Sequence, residues 1–179
     1  MKCNKGFSLI ELIIVIAILA VVTGVSFVGL GYLYNSNVKS TIKKINTSLL
    51  QTQSYTTAKS VGGRDIYFKL YQDSGDYYTA MCREDSSGNE IKLQEPEKVG
   101  KKNLTVKYVA SDGINVNEVD INSSNSLKLY FDRSTGGLLP MANGGSTYCS
   151  KIEISVNGLS KCSVTISKIT GKTEVAIFQ

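Results

Sequence analysis

Hydrophobic and polar positions are distributed unevenly along this chain. Between Phe7 and Leu33 the single charged residue is Glu11, and Leu12–Val22 (LIIVIAILAVV) is apolar without interruption. A short basic segment, Met1–Gly6 (MKCNKG), precedes it. As a helix, Leu12 to Tyr34 is about 34 Å long at ~1.5 Å per residue, enough to span a bilayer core of ~30 Å. Lys2 and Lys5 then predict a cytoplasmic N-terminus with the remainder outside. Beyond this stretch the periodicity changes. Val38, Ile42, Ile45 and Leu49 fall on one helical face, Thr52 and Tyr55 extend it, and Lys39, Lys43 and Lys44 lie on other faces. Gly62-Gly63 ends the pattern. One helix from about Ser8 to Lys59 is predicted, ~75 Å long if straight, apolar all round in its first half and amphipathic in its second.

After Gly63 the pattern becomes that of short strands. Asp65–Tyr71 and Asp76–Cys82 flank a hairpin loop at Gln72–Gly75. Leu104–Ala110, Ile114–Ile121 and Leu127–Phe131 follow, separated by SDG and NSSNS. Lys151–Val156 and Lys161–Ser167 flank Asn157-Gly158, and Lys172–Phe178 closes the chain after a turn at Thr170-Gly171. No internal repeat is apparent, and no Pro- or Ser-rich linker divides the region. The fold class predicted is α+β: a long N-terminal helix, membrane-spanning then amphipathic, packed on an antiparallel β-sheet head.

Composition then narrows the functions. At 179 residues the chain suits one ordinary domain, and 42% apolar content is too high for disorder. The complete lack of histidine excludes a Ser-His-Asp triad, a Cys-His dyad and a His-ligated zinc site. No nucleophile motif is present, so an anchored hydrolase is disfavoured and no enzymatic role or cofactor is expected. The charge of +5 is a modest excess and no nucleic-acid signature.

Glu11 is the residue that a plain apolar anchor does not explain. A carboxylate within a membrane span costs from ~2.5 kcal/mol at the midplane, less near the edge, and calls for a partner. A cleaved secretory signal is a poor reading, because the apolar region is too long and no small-x-small site follows it. A plain anchor with Glu11 merely at the interface is a second reading. A third supplies the partner: cleavage after Gly6 frees an amine on Phe7, one helical turn from Glu11. Between neighbouring helices that amine and that carboxylate would neutralise each other in an apolar interface.

The segment GFSLIELIIVIAILAVV, Gly6 to Val22, closely resembles the class III signal of type IV prepilins and type II secretion pseudopilins. The matching features are the basic leader ending in Gly6, aromatic Phe7, Glu11 and the long apolar helix. The resemblance covers the first ~30 residues, as is usual where heads diverge. It implies cleavage by a membrane-embedded prepilin peptidase between Gly6 and Phe7, N-methylation of Phe7 by the same enzyme, and pairing of Glu11 with the methylated amine of an adjacent subunit. It implies a subunit that waits in the bacterial cell membrane as a single-pass protein amid lipid. A cytoplasmic ATPase and a platform protein then draw it, with sister pilins, into an extracellular pilus or a pseudopilus. Adhesion, motility, secretion or DNA uptake are the outputs such filaments serve. The implied organisation is a leader at 1–6, a transmembrane and polymerisation helix at 7–34 and a globular head at 35–179. Many relatives carry a proline near the position of Val28; Gly24, Gly29 and Gly31 stand here instead, and glycines too permit a bend. Loss of the leader removes Lys2, Lys5 and Cys3. LYFDRSTGGLLP from Leu129, a strand pair and TGKTEV ending at Val175 look like the C-terminal strands of H-type pseudopilins and related minor pilins, against a rival reading as a major pilin with a divergent head. The alternative function is a membrane-anchored extracellular binding domain that never polymerises.

Cleavage would leave Cys82, Cys149 and Cys162, an odd number, in an exported head where a disulfide is permitted. A three-residue loop at Asn157–Leu159 would set Ile154 opposite Cys162 and Ile152 opposite Val164. Cys149 would then face away from Ile152, which disfavours a Cys149–Cys162 bridge and leaves Cys82 with Cys149 or Cys162, or three buried thiols. Three scattered cysteines without histidine make a poor metal site. Lys98, Lys101 and Lys102, with Lys107 nearby, form a basic loop, but no aromatics interleave it and Glu95 and Glu97 flank it; a solvated loop is the better reading than a nucleic-acid site. Asp112, Asn115, Asn117, Glu118 and Asp120 lack the spacing of a calcium loop. Asp65, Asp73 and Asp76 surround a predicted turn, where Asp is expected for backbone reasons. The tyrosines, among them Tyr67, Tyr71, Tyr77 and Tyr78, suit strand faces and subunit contacts.

Overall fold

The computed structural model describes residues 9–59, 65–85 and 87–178, with backbone alone at 22 and 24–35. The chain divides into two compact units, Met1–Ser36 and Asn37–Gln179. Helix α1 spans Leu9–Lys59, and its assignment is unbroken through Gly24, Gly29 and Gly31. The described helix reaches Lys59; Gly62 and Gly63, expected to end it, lie outside the described residues.

Among the described residues ten strands follow, in two antiparallel sheets. The first sheet holds β1 (Ile66–Asp73), β2 (Asp76–Glu84), β3 (Glu90–Lys92), β4 (Glu97–Gly100) and β7 (Leu127–Tyr130), ordered β3-β2-β1-β7 with β4 also on β2. The second is ordered β10-β9-β8-β5-β6, from β5 (Thr105–Ser111), β6 (Val116–Asp120), β8 (Tyr148–Val156), β9 (Leu159–Ile166) and β10 (Thr173–Ile177). Both tight hairpins turn on two residues with positive φ, Ser74-Gly75 and Asn157-Gly158, whose twist matches the flanking strands.

The head has one main core. Val38, Ile42, Ile45 and Leu49 on α1 are buried to 0–1% exposure, and they join Phe68 and Leu70 of the first sheet and Val106, Ile152, Ile154 and Val164 of the second in a single cluster. Each such side chain contributes roughly 1.5–3 kcal/mol on burial. The Tyr77 hydroxyl ties the sheets together, donating to the Leu104 carbonyl (3.2 Å) and accepting from the Val106 N–H (3.4 Å). A small second cluster, Tyr67, Ala80, Cys82 and Tyr130, lies apart from it.

Two register details differ from expectation. Ile154 does oppose Cys162 and Ile152 does oppose Val164, but through a two-residue turn plus an irregularity in which Lys161 is the extra residue. Cys149 does not face away from Ile152; both belong to the main core. A bulge at Ser150, where Val109 opposes Lys151 and Ala110 opposes Cys149, shifts the alternation by one residue.

Of the two readings left open, a disulfide of Cys82 with Cys149 or Cys162 and three buried thiols, the structure has the second: all three thiols are free and buried. Cys82 lies in the small cluster and Cys149 and Cys162 in the main one. Along β2 the main-core side chain Tyr77 and the small-cluster side chains Ala80 and Cys82 differ in parity, so the first sheet itself separates Cys82 from the other two. Cys149 opposes Ala110 while Cys162 opposes Ile154, at different levels of β8.

Candidate functional site: an uncovered apolar helix

The first part of α1 reverses the usual rule for apolar side chains. A helix of a soluble domain buries one stripe and exposes the rest. From Leu9 to Val21 the large apolar side chains are exposed on every face, from 48% at Val15 to 77% at Leu9. Farther along the same helix, the stripe from Val38 to Leu49 is closed off completely. Thr23, the first polar residue after the run, turns its hydroxyl back to the Leu19 (2.7 Å) and Ala20 (3.1 Å) carbonyls, leaving no donor pointing outward.

Glu11 stands in the first turn of α1 and is exposed. A carboxylate there is favoured by the positive end of the helix dipole. Gly6 and Phe7 lie outside the described residues. Among the described residues no helix is long and apolar enough to cross a membrane; the expected span of Leu12 to Tyr34 runs on into side chains that are not described.

The other residues singled out by sequence have local duties. Asp112 caps the β5–β6 hairpin: its Oδ1 accepts from Ile114 N–H (2.8 Å) and Asn115 N–H (2.7 Å), which holds its carboxyl below the usual range. Glu118 pairs with Lys107 (2.7 Å) across β5 and β6. Asp76 is hydrogen-bonded by Lys98, and that contact lowers its pKa. Asp65 pairs with Arg83 (3.7 Å). Tyr67 donates to Glu90 Oε2 (2.8 Å), and Tyr130 donates to Glu84 Oε1 (3.1 Å). The basic loop is not isolated: Lys44 of α1 donates to the Lys98 carbonyl (3.0 Å) and pairs with Glu97 (3.2 Å). Sequence offered no signal for that link, since the partners are over fifty positions apart.

A latch at the far end of α1 was also invisible in sequence. Gln53 Nε2 donates to the carbonyls of Gly136 (2.7 Å) and Thr170 (3.0 Å). Gly136 and Gly171 have positive φ, and a Cβ on Gly171 would stand 2.1 Å from the Gly136 oxygen. Asp132 starts the turn, its Oδ1 accepting from the hydroxyls and N–H groups of Ser134 and Thr135, which holds its carboxyl down to about 2.

Comparison with known proteins places these features in a family setting. Residues 1–27 match the prokaryotic N-terminal methylation motif. The fold is similar to that of the minor pseudopilin EpsH from the type II secretion system of Vibrio cholerae, with a TM-score of 0.53 at 13% identity over 82% of this chain and 98% of that one. No curated protein matches the sequence. The motif covers the N-terminal segment, and the likeness to the pseudopilin is one of fold, a helix on antiparallel sheets.

Proposed function

We propose that this chain is a structural subunit of a type IV pilus or pseudopilus, cut by a prepilin peptidase after Gly6, methylated on Phe7 and assembled through α1. The observation that carries this reading is a methylation motif leading into a helix whose Leu9–Val21 side chains are exposed on all sides. Uncovered apolar area of that kind is stable only in lipid or against other apolar helices. The subunit therefore waits in the cell membrane, N-terminus cytoplasmic, and leaves it when sister helices replace the lipid. Residues 7–34 act as anchor and polymerisation element, and 35–179 form the head displayed outside.

Glu11 sets the register of assembly. Its carboxylate meets the freed Phe7 amine of the adjacent subunit, and both charges are neutralised within the helix bundle. Partners follow from this mechanism: sister pilins, the peptidase, and an ATPase and platform that supply the work of extraction. The likeness to a minor pseudopilin favours a sparse subunit of a secretion pseudopilus over a main shaft protein.

A Glu11→Ala variant tests the pairing. It should be cut and methylated as the parent is, yet enter filaments about a hundredfold less, the scale of breaking one partner of a buried ion pair. Incorporation at the parental level would contradict the role given to Glu11.

A further inference from the structure

Among the described residues Ile114 is the most exposed large apolar side chain, at 91%, and nearby Val116 is 64% exposed. Both stand at the tip of the β5–β6 hairpin, and that tip is braced. Asp112 N–H donates to the Asn115 carbonyl (3.3 Å), Asp112 Oδ1 accepts from Ile114 and Asn115 N–H, Asp112 Oδ2 accepts from Asn115 Nδ2 (3.1 Å), and Ser111 Oγ accepts from Gly113 N–H (3.1 Å). An aliphatic side chain held out in water on so fixed a turn gains by burial and loses little freedom on docking.

An open groove of about 350 Å³ lies at the other end of β5. Val99, Gly100 and Leu104 form its buried floor, and Ser40, Lys44 and Lys101 stand on its rim. Thr41 offers it a methyl, since its hydroxyl donates to the Val99 carbonyl (2.7 Å). Lys44 and Lys98 are paired with Glu97 and Asp76, which leaves exposed Lys101 as the net charge of the lining. The single charge in the hairpin tip from Ser111 to Asn117 is Asp112, of opposite sign. Leu104 precedes β5 and Asp112 follows it. Groove and tip are therefore about 26 Å apart on one chain, at ~3.3 Å per residue, and a tip cannot fill its own groove. Two unlike patches at opposite ends of one strand can meet only head to tail, the contact type that generates rings or open helical assemblies.

We propose that the tip of the β5–β6 hairpin, Ile114 with Val116, docks in the groove over Val99, Gly100 and Leu104 of a second copy of this chain, bringing Asp112 towards Lys101. This deepens the structural-subunit reading above and rests on it. Two copies suffice to make the contact, so a sparse subunit can use it. The aliphatic side chains supply the affinity, and the attraction of Asp112 for Lys101 at the rim orients the approach.

A photo-reactive benzoylphenylalanine in place of Val116, in full-length protein recovered from filaments or secretion complexes, tests this. Irradiation should link it to residues 37–44 or 98–104, and the separation of about 26 Å on one chain assigns such a link to a second copy. Ile114→Ser, which removes the knob, and Ser40→Trp, which fills the groove from its exposed rim, should each lower the yield about tenfold while urea unfolding stays as in the parent. Links that fall elsewhere on this chain or on a sister subunit, no links at all, or parental yield in both variants would overturn the contact and leave the structural-subunit reading standing. Absence of the protein from all assembled material would overturn both.

Discussion

At the scale of single residues, the head depends on a few close approaches that tolerate no side chain. Gly171→Ala would place a methyl 2.1 Å from the Gly136 carbonyl at a φ of +63°, so a loss on the order of 2 kcal/mol or more is expected in urea unfolding. Gln53→Ala should cost about 1–3 kcal/mol in the same assay, because two carbonyls lose their donor. Asp132 gives a pH signature. Its folded carboxyl is held down to about 2 against an ordinary 3.8, so the stability it supplies is complete above about pH 4 and is lost as pH falls towards 2. The parent should show that acid-limb loss and Asp132→Asn should lack its component. The thiols are shielded as well: burial pushes Cys82 up to about 11 and Cys149 up to about 12. Neither should take up an alkylating reagent until the head is unfolded, as intact mass will show.

At the scale of elements, the amphipathic half of α1 is what closes the core. Ile45→Ala should cost about 2–5 kcal/mol, whereas Leu50→Ala, at a position 40% exposed, should cost far less. That contrast was legible in the sequence, because the 4-3-4 spacing of Val38, Ile42, Ile45 and Leu49 marks a buried face and the neighbouring lysines mark the open ones. The strands with alternating burial were legible for the same reason. β3 and β4 were not: their burial runs eee and eeBB, charged side chains line the edge, and Pro96 interrupts the pairing along β2 between Lys92 and Glu97. The face of Cys149 was misread because a bulge leaves no mark in composition; Ser150 is an ordinary strand residue until the partner strand is known. The uncovered helix and Glu11 were visible from the first residues. The contact of Lys44 with the Lys98 carbonyl needed the fold, since chain order separates the two.

At the scale of the whole molecule, one chain combines two solvents. The head keeps its apolar residues inside, as water requires, and the start of α1 displays them, as lipid or a bundle of like helices requires. Such a helix without an acid would anchor indifferently; in the proposed function, Glu11 and an amine freed on Phe7 would convert anchoring into ordered stacking. The most direct test is the mass of the N-terminal peptide from filaments or secretion complexes that contain this protein. The account predicts a chain beginning at N-methylated Phe7. A chain still carrying Met1–Gly6 in assembled material would contradict it.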